Sequence, residues 1–162
     1  MKNIFTWILW ILLNLNILVV NIDFITNKKL FNNLEISIWD LTSIGNSAFK
    51  GCYSLESITL PDGVTSIGNS AFSECNSLTS IKFPKSVASV GDSTFYKCSS
   101  LKSITLPDGI ISIGDNAFCE CSSMKSIYFQ DNVESIGFEA FDKCNKLESI
   151  TVSSGNSHYK SI

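Results

Sequence analysis

The chain has 162 residues, 44% of them hydrophobic and 17% charged, and a formal net charge of −3. That content suits one domain with a short N-terminal segment, and the polar complement is Ser, Asn and Thr rather than the usual charged residues. The lysines are scattered, without the basic stripe that phosphate neutralisation requires or a polybasic membrane patch, which excludes nucleic acid as a partner.

Residues Ile4 to Val20 form an almost continuous apolar run behind Lys2. It has the n-region and h-region of a secretory signal. Asn14 and Asn16 interrupt it, no small-x-small cleavage site follows, and its length approaches the roughly 20 residues that span a bilayer. A cleaved signal, a retained anchor with membrane association through residues 1–25, a soluble or degenerate leader, and an apolar helix folded over the first coil as a cap all stay open. Trp7 and Trp10 serve any of them. This segment is assigned residues 1–33. From Leu34 to Leu41 the chain reads as a shortened strand-and-turn unit without its Pro and Gly.

Then a period appears. Cys52, Cys75, Cys98, Cys121 and Cys144 recur every 23 residues. Each follows an Ile/Val-Gly pair (Ile44-Gly45, Ile67-Gly68, Val90-Gly91, Ile113-Gly114, Ile136-Gly137). Each stands three residues after a Phe (Phe49, Phe72, Phe95, Phe118, Phe141) and three before a Leu or Met. A fixed period of this length is the signature of a solenoid whose units bury their apolar sides only against one another.

Leu55 to Ser77 serves as the type unit. Leu55-Glu56-Ser57-Ile58-Thr59-Leu60 alternates as a half-buried strand does, with Ile58 and Leu60 inward. Pro61-Asp62-Gly63 turns the chain, and Val64 to Ile67 makes a second extended piece. Gly68 ends it, and Asn69 or Ser70 is placed to cap a helical turn that sets Phe72 and Cys75 on one inward face. The expectation is an α/β repeat solenoid of about five coils, with short strands and short helical turns, over residues 34–156. The five periodic thiols should stack as a buried column of small hydrophobes, since parallel Cβ vectors suit disulfide geometry poorly. Cys119 falls in the slot held by Lys50, Ser73 and Tyr96 and is expected to face solvent. The last strand, Leu147 to Val152, loses the Pro that follows it in other coils. Ile150 and Val152 should then form an exposed edge through which the chain self-associates.

Written out, Leu-Pro-Asp-Gly-Val-Thr-Ser-Ile-Gly-Asn-Ser-Ala-Phe-Ser-Glu-Cys-Asn-Ser-Leu (60–78), repeated with variation at 83–101 and 106–124, resembles the BspA-like branch of the leucine-rich repeat proteins. The resemblance implies a curved, right-handed leucine-rich repeat superhelix, found in many bacterial and protist surface proteins. Some members are associated with adhesion to host matrix or other cells, which implies a protein partner of that kind and a secreted or cell-surface location. The tail 157–162 looks like the stub of a further, variant coil.

The expected function is a non-enzymatic protein-interaction or adhesion module. Its candidate face is the outward strand positions Thr59, Lys82, Thr105, Tyr128 and Thr151 with neighbouring Lys125, because stacked strands build a wide, shallow contact surface. The alternatives are a short structural repeat array, or a cytoplasmic scaffold without a dedicated ligand. No catalytic, cofactor or metal residues are expected. The single His, His158, lies in the tail, and no phosphate loop, metal-ligand cluster or nucleophile–base arrangement is present in the sequence.

Overall fold

The structure, a computed structural model, describes residues 33–35 and 42–160. The apolar run from Ile4 to Val20 lies outside the described residues, and so do the outcomes weighed for it.

Each coil contributes two short strands. The first side carries β1 (Asn33–Glu35), β3 (Ser57–Thr59), β5 (Ser80–Lys82), β7 (Ser103–Thr105), β9 (Ser126–Phe129) and β11 (Ser149–Val152). The second carries β2 (Ser43–Ile44), β4 (Ser66–Ile67), β6 (Ser89–Val90), β8 (Ser112–Ile113) and β10 (Ser135–Ile136). All pairing is parallel and joins equivalent residues, as in Ser57↔Ser80 and Ser43↔Ser66. A right-handed solenoid of about five coils results, in line with the handedness of parallel strand connections. At the first coil the register is Asn33↔Ser57, one residue more than the usual step, whereas Ser43↔Ser66 keeps it. The segment between β1 and β2 is therefore one residue longer than its counterparts, not shortened.

The second side is a continuous five-stranded sheet, but the first is divided. β1-β3-β5 and β7-β9-β11 are separate ladders, with no strand pairing between β5 and β7. The break falls in the coil where Phe83 replaces Leu60 or Leu106. Those leucines are buried, while Phe83 stays half-buried and meets Phe95 edge-on, with centroids 6.1 Å apart.

On the third side the expected helical turns do not form. Among the described residues there is no helix. Alternate amides leave the coil instead: Ser70, Phe72 and Glu74 donate to the carbonyls of Asp92, Thr94 and Tyr96 in the next coil at 2.7–2.9 Å. The residues between them, Ala71, Ser73 and Cys75, close tight turns on Gly68, Ser70 and Phe72. Consecutive intrachain bonds to the fourth residue back would need every amide, and half are already committed to the neighbour. Ser70 (φ 57°) and Glu74 (φ 63°) take left-handed conformations that a helix cannot contain, and so do their equivalents in the other coils. Asn69 and Ser70 accordingly cap nothing. Gly51 (φ 73°) fills the Glu74 slot in the first coil, the residue best suited to that geometry.

The core is a set of files along the stack. Phe49, Phe72, Phe95, Phe118 and Phe141 stack with centroids 5.1–5.5 Å apart and planes within 7° of parallel. Beside them run the thiols, buried from Cys75 to Cys144 and half-buried at Cys52. Each interior thiol donates to the Phe carbonyl one coil back: Cys75 to Phe49 (3.0 Å), Cys98 to Phe72 (3.2 Å), Cys121 to Phe95 (3.1 Å) and Cys144 to Phe118 (3.1 Å). All six cysteines are free. Cys119 is 3% exposed, against expectation. Its slot lies in the amide ladder between coils, where its carbonyl accepts from the Lys97 amide. Ser73, in the same slot, is buried too.

Burial raises these thiols. Cys98 is pushed up to about 12 and Cys144 to about 11 from an ordinary 9.0. Cys119 is also raised, by burial and then by the carboxylates of Asp142 and Glu120. The folded state thus keeps protons that the unfolded chain releases above pH 9. The stability these groups contribute is complete below pH 9 and is lost as pH rises through 11–12. Urea midpoints measured from pH 8 to 11 should fall. A midpoint that holds level across that range contradicts the buried file.

The C-terminal end is not bare. Val152 is 8% exposed and Ile150 half-buried. Residues 153–160 fold beneath the last full coil. There Tyr159 takes the place of the Ile file, packs on the core and accepts the Ile136 amide at 3.1 Å through its hydroxyl. Asn156 holds this segment by donating to the carbonyls of Gln130 and Val133 at 2.9 Å each.

Candidate functional site

The six candidate contact residues all stand outward on the first side, and all are exposed. Strand alternation accounts for this: in β3, for example, Ile58 points in while Thr59 faces solvent. The ladders bring Thr59 beside Lys82, and Tyr128 between Thr105 and Thr151. They do not pair Lys82 with Thr105, where the sheet is interrupted. Lys125 precedes β9. Its amide donates to the Lys102 carbonyl and its own carbonyl accepts from Glu148, both at 2.9 Å. The file running alongside the candidate residues is therefore Glu56, Thr79, Lys102, Lys125, Glu148. Tyr128 is 43% exposed, the large apolar surface on this face. Among the described residues the ion pairs are Lys50–Glu74 (3.9 Å), Lys143–Glu120 (3.7 Å) and Lys143–Asp142 (3.6 Å), so Lys82, Lys102 and Lys125 are in none of them.

The second side carries a feature that sequence reasoning missed. Asn46, Asn69, Asp92 and Asp115 form a file in which each side-chain oxygen accepts the backbone amide of the equivalent residue one coil on. The distances are 2.8 Å (Asn46 to Asn69), 3.0 Å (Asn69 to Asp92), 3.0 Å (Asp92 to Asp115) and 2.7 Å (Asp115 to Phe138). Phe138 ends it with a ring 71% exposed. The signal is present in the sequence as an Asn or Asp after four of the five periodic glycines, with Phe138 after the fifth, and it marks a link between coils and not a local cap. This file explains the glycines. A Cβ on Gly114 would lie 2.5 Å from Asp92 Oδ1 and 2.6 Å from Asp92 N. Beside the file runs a shallow open groove of about 370 Å³ across β6, β8 and β10, lined by Gly91, Asp92, Gly114, Asp115 and the outward serines.

On the third side the Tyr96 hydroxyl donates to Glu120 at 3.2 Å, and Lys97 Nζ lies 5.1 Å above the Tyr96 ring. Inside, the Cys75 thiol also reaches Cys52, a contact that holds Cys52 below its usual value and Cys75 above. In the tail Ser157 Oγ is 3.2 Å from His158 Nδ1, both side chains exposed. No group of three His, Cys, Asp or Glu among the described residues is placed to hold a metal ion. No described helix is long and apolar enough to cross a membrane. What this arrangement offers is surface: two outward faces of regularly repeated side chains.

A family profile described as "BspA type Leucine rich repeat region" matches residues 42–161 in six copies. No curated protein sequence matches the chain. Among solved structures, it is similar to a T. pallidum leucine rich repeat protein at 31% identity and a TM-score of 0.72, over 74% of this chain and 58% of that one. It is similar to a leucine rich cell surface protein from Faecalibacterium prausnitzii at 36% and 0.74, over 78% of this chain and 33% of the other. A leucine-rich repeat protein from Bacteroides ovatus shows 39% and 0.67, over 75% and 33%. The chain thus spans less than two thirds of the length of each.

Proposed function

This chain belongs to the BspA-type leucine-rich repeat family, and from that premise we propose that it is a protein-interaction module whose contact surface is the outward face of the first side. The family is generally a non-enzymatic scaffold that mediates protein–protein binding. The observation that carries the choice of face is the in-register file of exposed side chains, Thr105–Tyr128–Thr151, with Lys102 and Lys125 in the file alongside it. Such a surface gives many small contacts and one aromatic anchor, and Tyr is a favoured interface residue.

The test is binding to an array of peptides and matrix proteins, with wild type compared to the Lys82→Ala/Tyr128→Ala double variant. Binding should weaken at least about tenfold while the melting curve holds. Unchanged binding to every bound probe removes this face. The competing reading, a structural array with no ligand of its own, draws support from Thr recurring at three of the five strand-centre positions. It is favoured if neither protein binds anything on the array.

For location we propose the cell surface, with adhesion as the role. The F. prausnitzii relative is described as a cell surface protein, and the apolar run Ile4–Val20 suits export. Labelling of intact cells with a membrane-impermeant reagent reads this directly, and an unlabelled chain in lysed cells alone contradicts it.

A further inference from the structure

Resting on the reading that the first side is the contact face, we propose that its occupant is a short acidic peptide segment. Three lysines stand on that face in three successive coils: Lys82, Lys102 and Lys125. The last two are direct neighbours, since the Lys125 amide bonds the Lys102 carbonyl. Their side chains leave adjacent coils about 4.8 Å apart, the spacing of paired strands. Like charges opposed across paired strands are unfavourable, and no carboxylate among the described residues lies within ion-pair distance of either. The remaining outward positions of these coils are neutral: Ser103, Thr105, Ser126 and Tyr128. An anion arriving from outside relieves the repulsion, and the exposed hydroxyls and Tyr128 ring give it neighbours to bond and pack against.

The acids of the same face set the size of that anion. Glu56 and Glu148 stand at the two ends of the file that holds Lys102 and Lys125, and the turn beyond the strands carries Asp62, Asp108 and Asp131, with the exposed Lys85 in the slot between the first two. The positive strip is therefore only about three coils long, roughly 10 Å along the stack. A long polyanion such as a sulfated polysaccharide laid down the stack meets a glutamate at each end. An extended peptide whose acidic side chains fall on one side, about 7 Å apart, places two carboxylates within the strip and clears the glutamates.

The test uses the full chain and fluorescence polarisation with four probes. They are a five-residue peptide with two glutamates alternating between tyrosines, its glutamine counterpart, its lysine counterpart, and heparin. The glutamate peptide should bind at least about tenfold tighter than the glutamine one, and the preference should fade between 50 and 500 mM salt. Lys102→Glu/Lys125→Glu should remove at least about tenfold of that affinity, and Glu56→Lys/Glu148→Lys should newly admit heparin. All four sites are exposed, and circular dichroism checks each variant. If the glutamine peptide binds equally well and its binding falls with Tyr128→Ala but not with the lysine reversals, the contact face stands and the acidic occupant is overturned. Heparin bound more tightly than the glutamate peptide by wild type overturns it in favour of a long polyanion. No binding by any probe, or binding that none of these substitutions changes, overturns both the occupant and the face.

Discussion

Phe95→Ala is expected to lower the stability of the array by about 3–5 kcal/mol, the upper range for removing a buried aromatic ring. Phe95 is fully buried in the middle of the stack, with Phe72 at 5.5 Å on one side and Phe118 at 5.3 Å on the other. The cavity cannot close easily. The coils on both sides are fixed at the same spacing by the amide ladders, such as Phe95 to the Ala117 carbonyl and Phe72 to the Thr94 carbonyl. Phe83 also loses the ring it meets edge-on. Because each coil contacts only its neighbours, a void in the third coil weakens the coupling between the two halves of the array as well as total stability. A broadened or two-step urea transition should accompany the lower midpoint. Phe141→Ala is the control. That ring is only partly buried, stacks on Phe118 alone and meets Phe129 at a tilt, and its loss should cost clearly less. A larger loss at Phe141 than at Phe95 would contradict the description of the core.

Gly114→Ala is the second large effect, expected at about 3 kcal/mol, the upper range for overpacking. The backbone of Gly114 does not need a left-handed residue, so alanine on its own would be neutral or helpful there. The cost comes from the coil before it. The new methyl would lie 2.5 Å from Asp92 Oδ1, 2.6 Å from Asp92 N and 2.7 Å from the Gly91 carbonyl carbon. A carboxylate oxygen can move aside, but two backbone atoms can do so only if the coils separate. Separation strains the Asp92-to-Asp115 bond and the Gly114-to-Val90 bond of the same junction. Gly109→Ala makes a graded comparison, with its nearest contacts at 3.0 Å to the Lys85 carbonyl and 3.3 Å to that of Val87, and should cost less. A Gly114→Ala protein as stable as wild type would show that the coils are not held as closely as the file of side-chain bonds implies.

The architecture was open to reading because repetition states which residues share an environment. The inward files of Ile58, Phe72, Cys75 and Leu78 needed only the period and the alternation. The third side was misread for a physical reason. Asn69-Ser70 ahead of Ala71-Phe72 is a reasonable helix start on local propensity, yet propensity is a weak prior and tertiary context overrides it. The competing amide partners sit one coil away, and a single repeat considered alone does not contain them. Cys119 failed in the same way. Its slot was judged from the residue types at equivalent positions, although Ser73 there is buried as deeply as Cys119. The outward strand face was legible position by position, since strand alternation fixes it. The pairing break between Lys82 and Thr105 was not, because β5 carries the same Ser-Ile-x pattern as its neighbours. The Asn/Asp file was visible as a recurrence and went unrecognised because its meaning lies between units.

The missing pairing between β5 and β7 has a mechanical consequence. The five-stranded sheet runs unbroken past that level on the opposite side, with Ser89↔Ser112 and Val90↔Ile113 in place. The solenoid therefore has a spine along one flank and a seam across the other. Bending about the spine can widen or narrow the angle between the two blocks of coils without rupturing a strand ladder on the seamed flank. Of all the junctions, this one offers bending the least resistance from strand ladders, with Lys82 on one block and Lys102 on the next, while third-side amides such as Phe95 to the Ala117 carbonyl still tie the blocks together.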